Sequence, residues 1–122
     1  MILTYGGDTM KVSELTKDLN LVVFSGSKGL IRNITGGYIS DLLSDVLENA
    51  SHGKVWITLQ THANIVDIAV RKELACILLV SSLTPEQTAI DLSNKVNIPV
   101  LGTSMSTFEI AGLLYQKIKG VQ

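Results

Sequence analysis

The sequence predicts an α/β protein, a three-layer α/β/α arrangement around a mostly parallel sheet of about five strands. Three observations carry that prediction. From residue 37 to the end, short apolar runs alternate with amphipathic segments, strand then helix, the pattern of parallel strands joined by right-handed crossovers. The run Ile77-Leu78-Leu79-Val80 is apolar at every position, as a strand covered on both faces must be. The composition is aliphatic, with 46% hydrophobic but only 5% aromatic residues, so Leu, Ile, Val and Ala must fill the core.

The elements follow in order. Residues 1–9 lack a clear period and read as an N-terminal extension, either disordered or an edge strand; residues 10–122 form the single domain. Ser13 is the expected N-cap of a short helix with Glu14 in its first turn and Leu15 and Leu19 on one face. Leu21 to Phe24 has the length of a strand. Ser25-Gly26-Ser27-Lys28-Gly29 breaks it, and a solvent-exposed turn is expected there. Gly37 to Ser40 is the next strand. Asp41 to Asn49 is a helix with Leu42, Leu43, Val46 and Leu47 as its stripe, closed at His52-Gly53.

Val55 to Leu59 is a strand. Ala63 to Leu74 is a helix built on Ile65, Ile68, Ala69 and Leu74. After the buried run at 77–80, Thr84-Pro85-Glu86-Gln87 carries a helix-start signature, with Thr84 as cap, Pro85 at the first helical position and Gln87 completing a capping box. That helix runs to about Val96, with Ala89, Ile90, Leu92 and Val96 inward. Ile98 to Gly102 is the last strand. Ser106 to Glu109 is a second capping box, opening a final helix with Ile110, Leu113, Leu114 and Ile118 on its inner side.

The totals exclude several classes. The 122 residues suffice for one domain with a real core. Net charge is −1 and only Arg32 and Arg71 are arginines, so no field or Arg-rich surface attracts nucleic acid. No stretch reaches the roughly 20 apolar residues of a membrane span, and no secretory signal opens the chain; a cytoplasmic location is expected. The single cysteine, Cys76, lies in an apolar run and is expected to be a core residue.

Candidate chemistry gathers at the carboxyl ends of the strands, where open parallel sheets bind ligands. Ser40-Asp41, Gln60 to Asn64 (with Thr61 and His62), Ser81-Ser82 and Gly102-Thr103-Ser104 stand there. With helix N-termini they suit a small anion or nucleotide, although each residue also serves as a cap or turn former. Ser25 to Gly29 is not a phosphate loop, because Lys28 precedes the second glycine and Leu30-Ile31 replace the required hydroxyl. His62, with Asp67 or Glu73 as orienter, is the one general-base candidate, and no nucleophile is specified for it. Asp41 and Asp45, four apart, make a weak cation signal; Asp41 more simply favours its helix N-terminus. No metal or cofactor is expected.

The costliest local feature is the glycine pair in Asn33-Ile34-Thr35-Gly36-Gly37-Tyr38-Ile39-Ser40-Asp41. Adjacent glycines in an apolar run point to a bend, or to close approach of a ligand or another backbone. Thr35-Gly36-Gly37, followed by Ser40-Asp41 and an apolar helix, resembles the DRTGG domain family. Asn33 and Ile34 stand where that motif has Asp and Arg. The resemblance runs from about Met10 to Lys119, taking in Thr61-His62, Ser81-Ser82 and the 99–104 segment. It implies a likeness to the non-catalytic N-terminal domain of HPr kinase/phosphorylase and to domains found beside CBS domains in regulated pyrophosphatases. The expected function is therefore a non-catalytic regulatory or interaction module, homodimeric or docked on a partner enzyme, sensing an anionic ligand or nucleotide. Its candidate ligand residues are Thr35, Gly36, Gly37, Ser40, Asp41, Thr61, His62, Ser81, Ser82, Thr103 and Ser104. The alternative is a small phosphotransferase-type or acyl-phosphate enzyme.

Overall fold

The computed structural model describes residues 10–119; the expectations for residues 1–9 and for Gly120 lie outside them. Strand β1 (Met10–Lys11) leads into α1 (Val12–Asp18), then β2 (Val22–Ser25) and a 3₁₀ turn (Ser27–Ile31). Strands β3 (Asn33–Ile34) and β4 (Gly36–Ile39) follow, then α2 (Leu43–Asn49), β5 (Lys54–Thr58), α3 (Asn64–Arg71) and β6 (Cys76–Leu79). Helix α4 (Gln87–Val96), strand β7 (Val100–Gly102) and helix α5 (Thr107–Ile118) complete the order.

The main sheet has the order β2-β7-β6-β5-β4. Strands β4 to β7 are parallel neighbours, and β2 joins β7 antiparallel at one edge. A separate two-stranded sheet pairs β1 with β3, Met10 opposite Ile34. The sequence shows neither of these two short strands, because two residues carry no readable period.

Strand alternation sorts the core into two layers. Val55, Ile57, Cys76, Leu78 and Leu101 face α1 and α5, meeting Val12, Leu15, Ile110, Leu114 and Ile118. Trp56, Ile77, Leu79 and Val100 face the opposite way, toward Val46, Ile65, Val66, Ile68 and Ala89 of α2, α3 and α4. This is the expected three-layer α/β/α fold. Cys76 is fully buried, and desolvation pushes its thiol up to about 12.

Several helix starts differ from expectation. Helix α1 is capped at Lys11 rather than Ser13, and the Glu14 carboxylate accepts the Lys11 N–H at 2.8 Å. Helix α4 begins at Gln87, not at Thr84 and Pro85. The Glu86 N–H donates to the Thr61 carbonyl at 3.0 Å, which ties this residue to the loop after β5 and leaves it extended as the N-cap. Gln87 then bonds Asp91 instead of closing a capping box. On α4 Ala89 is buried and Leu92 and Val96 pack against the core as expected, and Ser93, outside the expected stripe, is buried beside them. The α5 capping box forms as expected, with Glu109 N–H donating to Ser106 Oγ at 3.3 Å and Ser106 N–H to Glu109 Oε1 at 3.1 Å.

The turn after β2 is not simply a solvent loop. Ser27 and Lys28 are exposed, but Gly26 and Gly29 are buried against residues 97–99. Gly26 has φ +71°, and its N–H donates to Asn94 Oδ1 at 2.7 Å. Beside it, buried Ser93 Oγ meets Ser25 Oγ at 2.7 Å. A Cβ on Gly29 would lie 2.1 Å from the Asn97 carbonyl oxygen. Gly29→Ala is therefore expected to overpack this junction and lower stability by about 1–3 kcal/mol, seen as an earlier urea midpoint.

Candidate functional site

The eleven residues singled out in the sequence fall into three places. The first is the carboxyl end of β4 and β5. Helix α2 starts at Leu43, so Asp41 lies before it and cannot share a helix face with Asp45. Asp41 Oδ1 instead accepts from the Thr58 hydroxyl at 2.9 Å and from the Leu59 N–H at 2.7 Å. Its carbonyl accepts from Gln60 Nε2 at 2.9 Å. The Ser40 carbonyl takes the indole N–H of buried Trp56 at 2.8 Å, and Ser40 Oγ accepts the Leu42 N–H. Asp41 and Ser40 thus tie two strand ends together. Asp45 is engaged separately, by the Tyr38 hydroxyl and by Asn49 Nδ2 at 2.9 Å.

Thr61 and His62 follow on the same loop. His62 Nδ1 accepts the Asn64 N–H at 3.4 Å. Neither expected orienter is in place: Glu73 lies 3.8 Å from the other histidine, His52, in an exposed pair. Asn64 Oδ1 is buried without a hydrogen-bond partner among the described residues.

The second place lies between β6 and β7. The loop leaving β6 leads to α4 on one face of the sheet, and the loop leaving β7 leads to α5 on the other. Such a reversal opens a crevice at the strand ends. Ser82, Gly102, Thr103 and Ser104 line a cavity of about 440 Å³ there, with Phe24, Val22 and Leu83. Gly102 makes room for the ring: a Cβ on it would meet Phe24 Cε2 at 2.3 Å. The backbone donors are mostly spent. Ser81 N–H donates to the Met105 carbonyl at 2.8 Å and Ser82 N–H to the Thr103 carbonyl at 2.9 Å. Ser81 and Ser82 both hold positive φ, 56° and 61°, an unusual backbone for residues other than glycine.

The third place holds Thr35, Gly36 and Gly37, at the opposite end of the sheet from the strand carboxyl termini. Thr35 is an anchor: its N–H donates to the Gly53 carbonyl at 2.9 Å and its hydroxyl to the His52 carbonyl at 2.7 Å. The two glycines are ordinary extended strand, since positive φ among the described glycines occurs at Gly26 and Gly53 only. Their value is space. A Cβ on Gly37 would stand 3.1 Å from Leu114 Cδ2 of α5. Together with Ile39, Ile57, Lys54 and α5 they line a cavity of about 910 Å³, more apolar than the strand-end crevice and twice its size. Phe108, Gly112 and Tyr115 of α5, which the sequence reading passes over, form its other wall. Their signal was available, as apolar residues at helical spacing opposite the buried stripe. Leu113, expected inward, is exposed.

With this geometry in hand, the DRTGG domain family model matches residues 14–117. The chain belongs to the DRTGG domain family. No curated protein sequence matches it. Its fold is similar to a solved structure of the CBS and DRTGG domains of the regulatory region of Clostridium perfringens pyrophosphatase, complexed with the activator diadenosine tetraphosphate. The TM-score is 0.69 at 17% identity, covering 92% of this chain but 50% of that one. At the DRTGG motif this domain keeps Thr35-Gly36-Gly37. Ile34, in the position of the motif's arginine, is buried against the α1 and α5 layer, so a hydrophobic contact stands where a cation would. Among the described residues no helix is long and apolar enough to cross a membrane, and no cluster of three or more His, Cys, Asp or Glu residues could hold a metal ion.

The Tyr38–Asp45 contact gives a pH signature. Hydrogen bonds from Asn49, Ser40 and Tyr38 hold the Asp45 carboxyl below its ordinary value, and the bond to Asp45 raises the Tyr38 phenol above its own. A lowered carboxyl stabilises the fold above its unfolded value of 3.8 and loses that contribution as pH falls through the folded value. A raised phenol contributes fully below pH 10.0 and loses it as pH rises further. Tyr38→Phe should therefore flatten the alkaline loss of stability, and Asp45→Asn the acid loss, in urea midpoints measured across pH.

Proposed function

We infer that residues 10–122 work as one non-catalytic regulatory module, homodimeric or docked on a partner enzyme. The observation that carries this reading is the contrast between the two cavities. At the strand ends Asp41 and the Ser81 and Ser82 amides are engaged in internal hydrogen bonds, and among the described residues no hydroxyl or thiol is hydrogen-bonded to a histidine there. Beside β4 and α5 lies a larger apolar cavity, flanked by exposed Phe108 and Tyr115. Apolar rings left in water are a feature of surfaces that meet another protein. Family membership and the likeness to a pyrophosphatase regulatory region support the same reading.

The module senses a small anionic ligand, a nucleotide or phosphorylated metabolite, in the crevice between β6 and β7. Ser82 and Ser104 offer hydroxyls there, while Thr103 Oγ1 is held by the Met105 N–H at 3.2 Å, and the Phe24 ring offers a face for a base. The activator bound by the pyrophosphatase region supports the ligand class, in a chain twice as long as the matched part.

A thermal-shift screen with nucleotides and phosphorylated metabolites tests the ligand reading. A compound at a hundred times its Kd adds about 2.7 kcal/mol of stability. The expected result is a raised Tm with at least one nucleotide, abolished by Ser104→Asp. No shift with any compound contradicts it.

A further inference from the structure

The exposed side of α5 contains a residue that nothing among the described residues explains. Gly112 lies in the middle of a helix of 12 residues, and a Cβ placed on it would have nothing within 4 Å. A glycine there is disfavoured by roughly 1 kcal/mol relative to alanine. The other buried or crowded glycines each meet a neighbour, as Gly26 and Gly29 meet residues 97–99. Gly112 makes room for nothing among the described residues.

Its surroundings supply a reason. Gly112 faces the same cavity as Gly36, Gly37 and Ile39. Among the described residues strand β4 ends the main sheet, with β5 as its one strand neighbour, and unpaired edges are normally blunted by charge or proline. Here the edge carries two glycines and an exposed isoleucine instead. On the helix, Phe108 is 89% and Tyr115 68% exposed. The surface therefore holds hollows, the glycines, beside projections, the rings. That combination is self-complementary under a two-fold axis, the symmetry that places one patch against its own copy.

The charges agree. Glu109 lies in the first turn of α5; at its other end Lys117 is paired with Asp18 at 3.5 Å, while Lys119 lines the cavity together with Lys54. Two copies of α5 crossing antiparallel at Gly112 bring the carboxylate end of one to the lysine end of the other. Like ends meet in a parallel arrangement. The area also suffices to begin an interface: two largely exposed aromatic rings hide roughly 300 Å² per copy, over a third of the ~800 Å² per partner of a standard interface. Ile39, Leu113 and the open edge of β4 extend it.

The geometry points to a second copy of this chain as the occupant of the β4–α5 groove, docked antiparallel about a two-fold axis near Gly112. This rests on the homodimeric reading above and names its surface. Gly112 is then the point of closest approach between helices, and Phe108 fills the partner's glycine-floored hollow.

Sedimentation equilibrium on the full chain, with Gly112→Gln and Phe108→Ser variants, tests it. Glutamine favours helix and has open space in the single chain, so the unfolding midpoint of the monomer should hold or rise. The expected result is a wild-type dimer whose Kd increases at least tenfold in both variants. A wild-type dimer unaffected by either substitution overturns this surface and leaves the homodimeric reading standing. A wild-type chain that stays monomeric at every concentration overturns both.

Discussion

The two-sided burial of β6 is the constraint on which the rest of the fold depends. Every residue of Cys76–Leu79 is buried, so each face of the sheet must be covered by helix. Parallel neighbours β4 to β7 need crossovers, and α2, α3 and α4 supply them on one face. The opposite face receives no crossover from that run. It is covered by helices from either end of the described chain, α1 and α5, through Val12, Leu15, Ile110, Leu114 and Ile118. Helix α5 lies over β4 and β5, and the larger cavity opens between it and the β4 edge.

This arrangement also fixes what the glycine pair does. Neither glycine bends the chain. Gly37 lets Leu114 settle on the edge strand, and Gly36 sits beside the Lys54 side chain, whose Nζ would lie 2.8 Å from an added Cβ. A flexible lysine end can move aside, so Gly36 is not held by the internal packing as Gly29 is. The Thr35 anchor to Gly53 and His52 starts β4 in register with β5. The Thr35-Gly36-Gly37 sequence is thus one anchor followed by two vacancies, beside an apolar groove rather than beside the polar strand ends.

Much of the fold was legible because period and burial coincide. The apolar run at 77–80, the strand at Val55 to Leu59 and the Ser106–Glu109 box each carry their own local signal. The errors lie where tertiary contacts overrule local chemistry. Thr84 and Pro85 have the residues of a helix start, yet the bond from Glu86 to Thr61 holds the chain extended past them. Asp41 has the residue type of an N-cap, yet it reaches across to Thr58 and Leu59. The candidate site was legible in part. Ser82, Thr103 and Ser104 do meet, because strand ends are set by topology. Phe108 and Tyr115 stand at readable helical spacing opposite Ile110, Leu114 and Ile118, but spacing alone does not show that this face is left exposed.

The central claim is that the open edge of β4 and the outer face of α5 are covered by a second chain. Hydrogen–deuterium exchange followed as a function of protein concentration reads this directly. The account predicts that amides of Gly36–Ile39 and those around Gly112 gain protection together as concentration rises, while the Ser27–Ile31 turn does not change. Exchange at β4 and α5 that is independent of concentration, in a chain that is nonetheless dimeric, would contradict it.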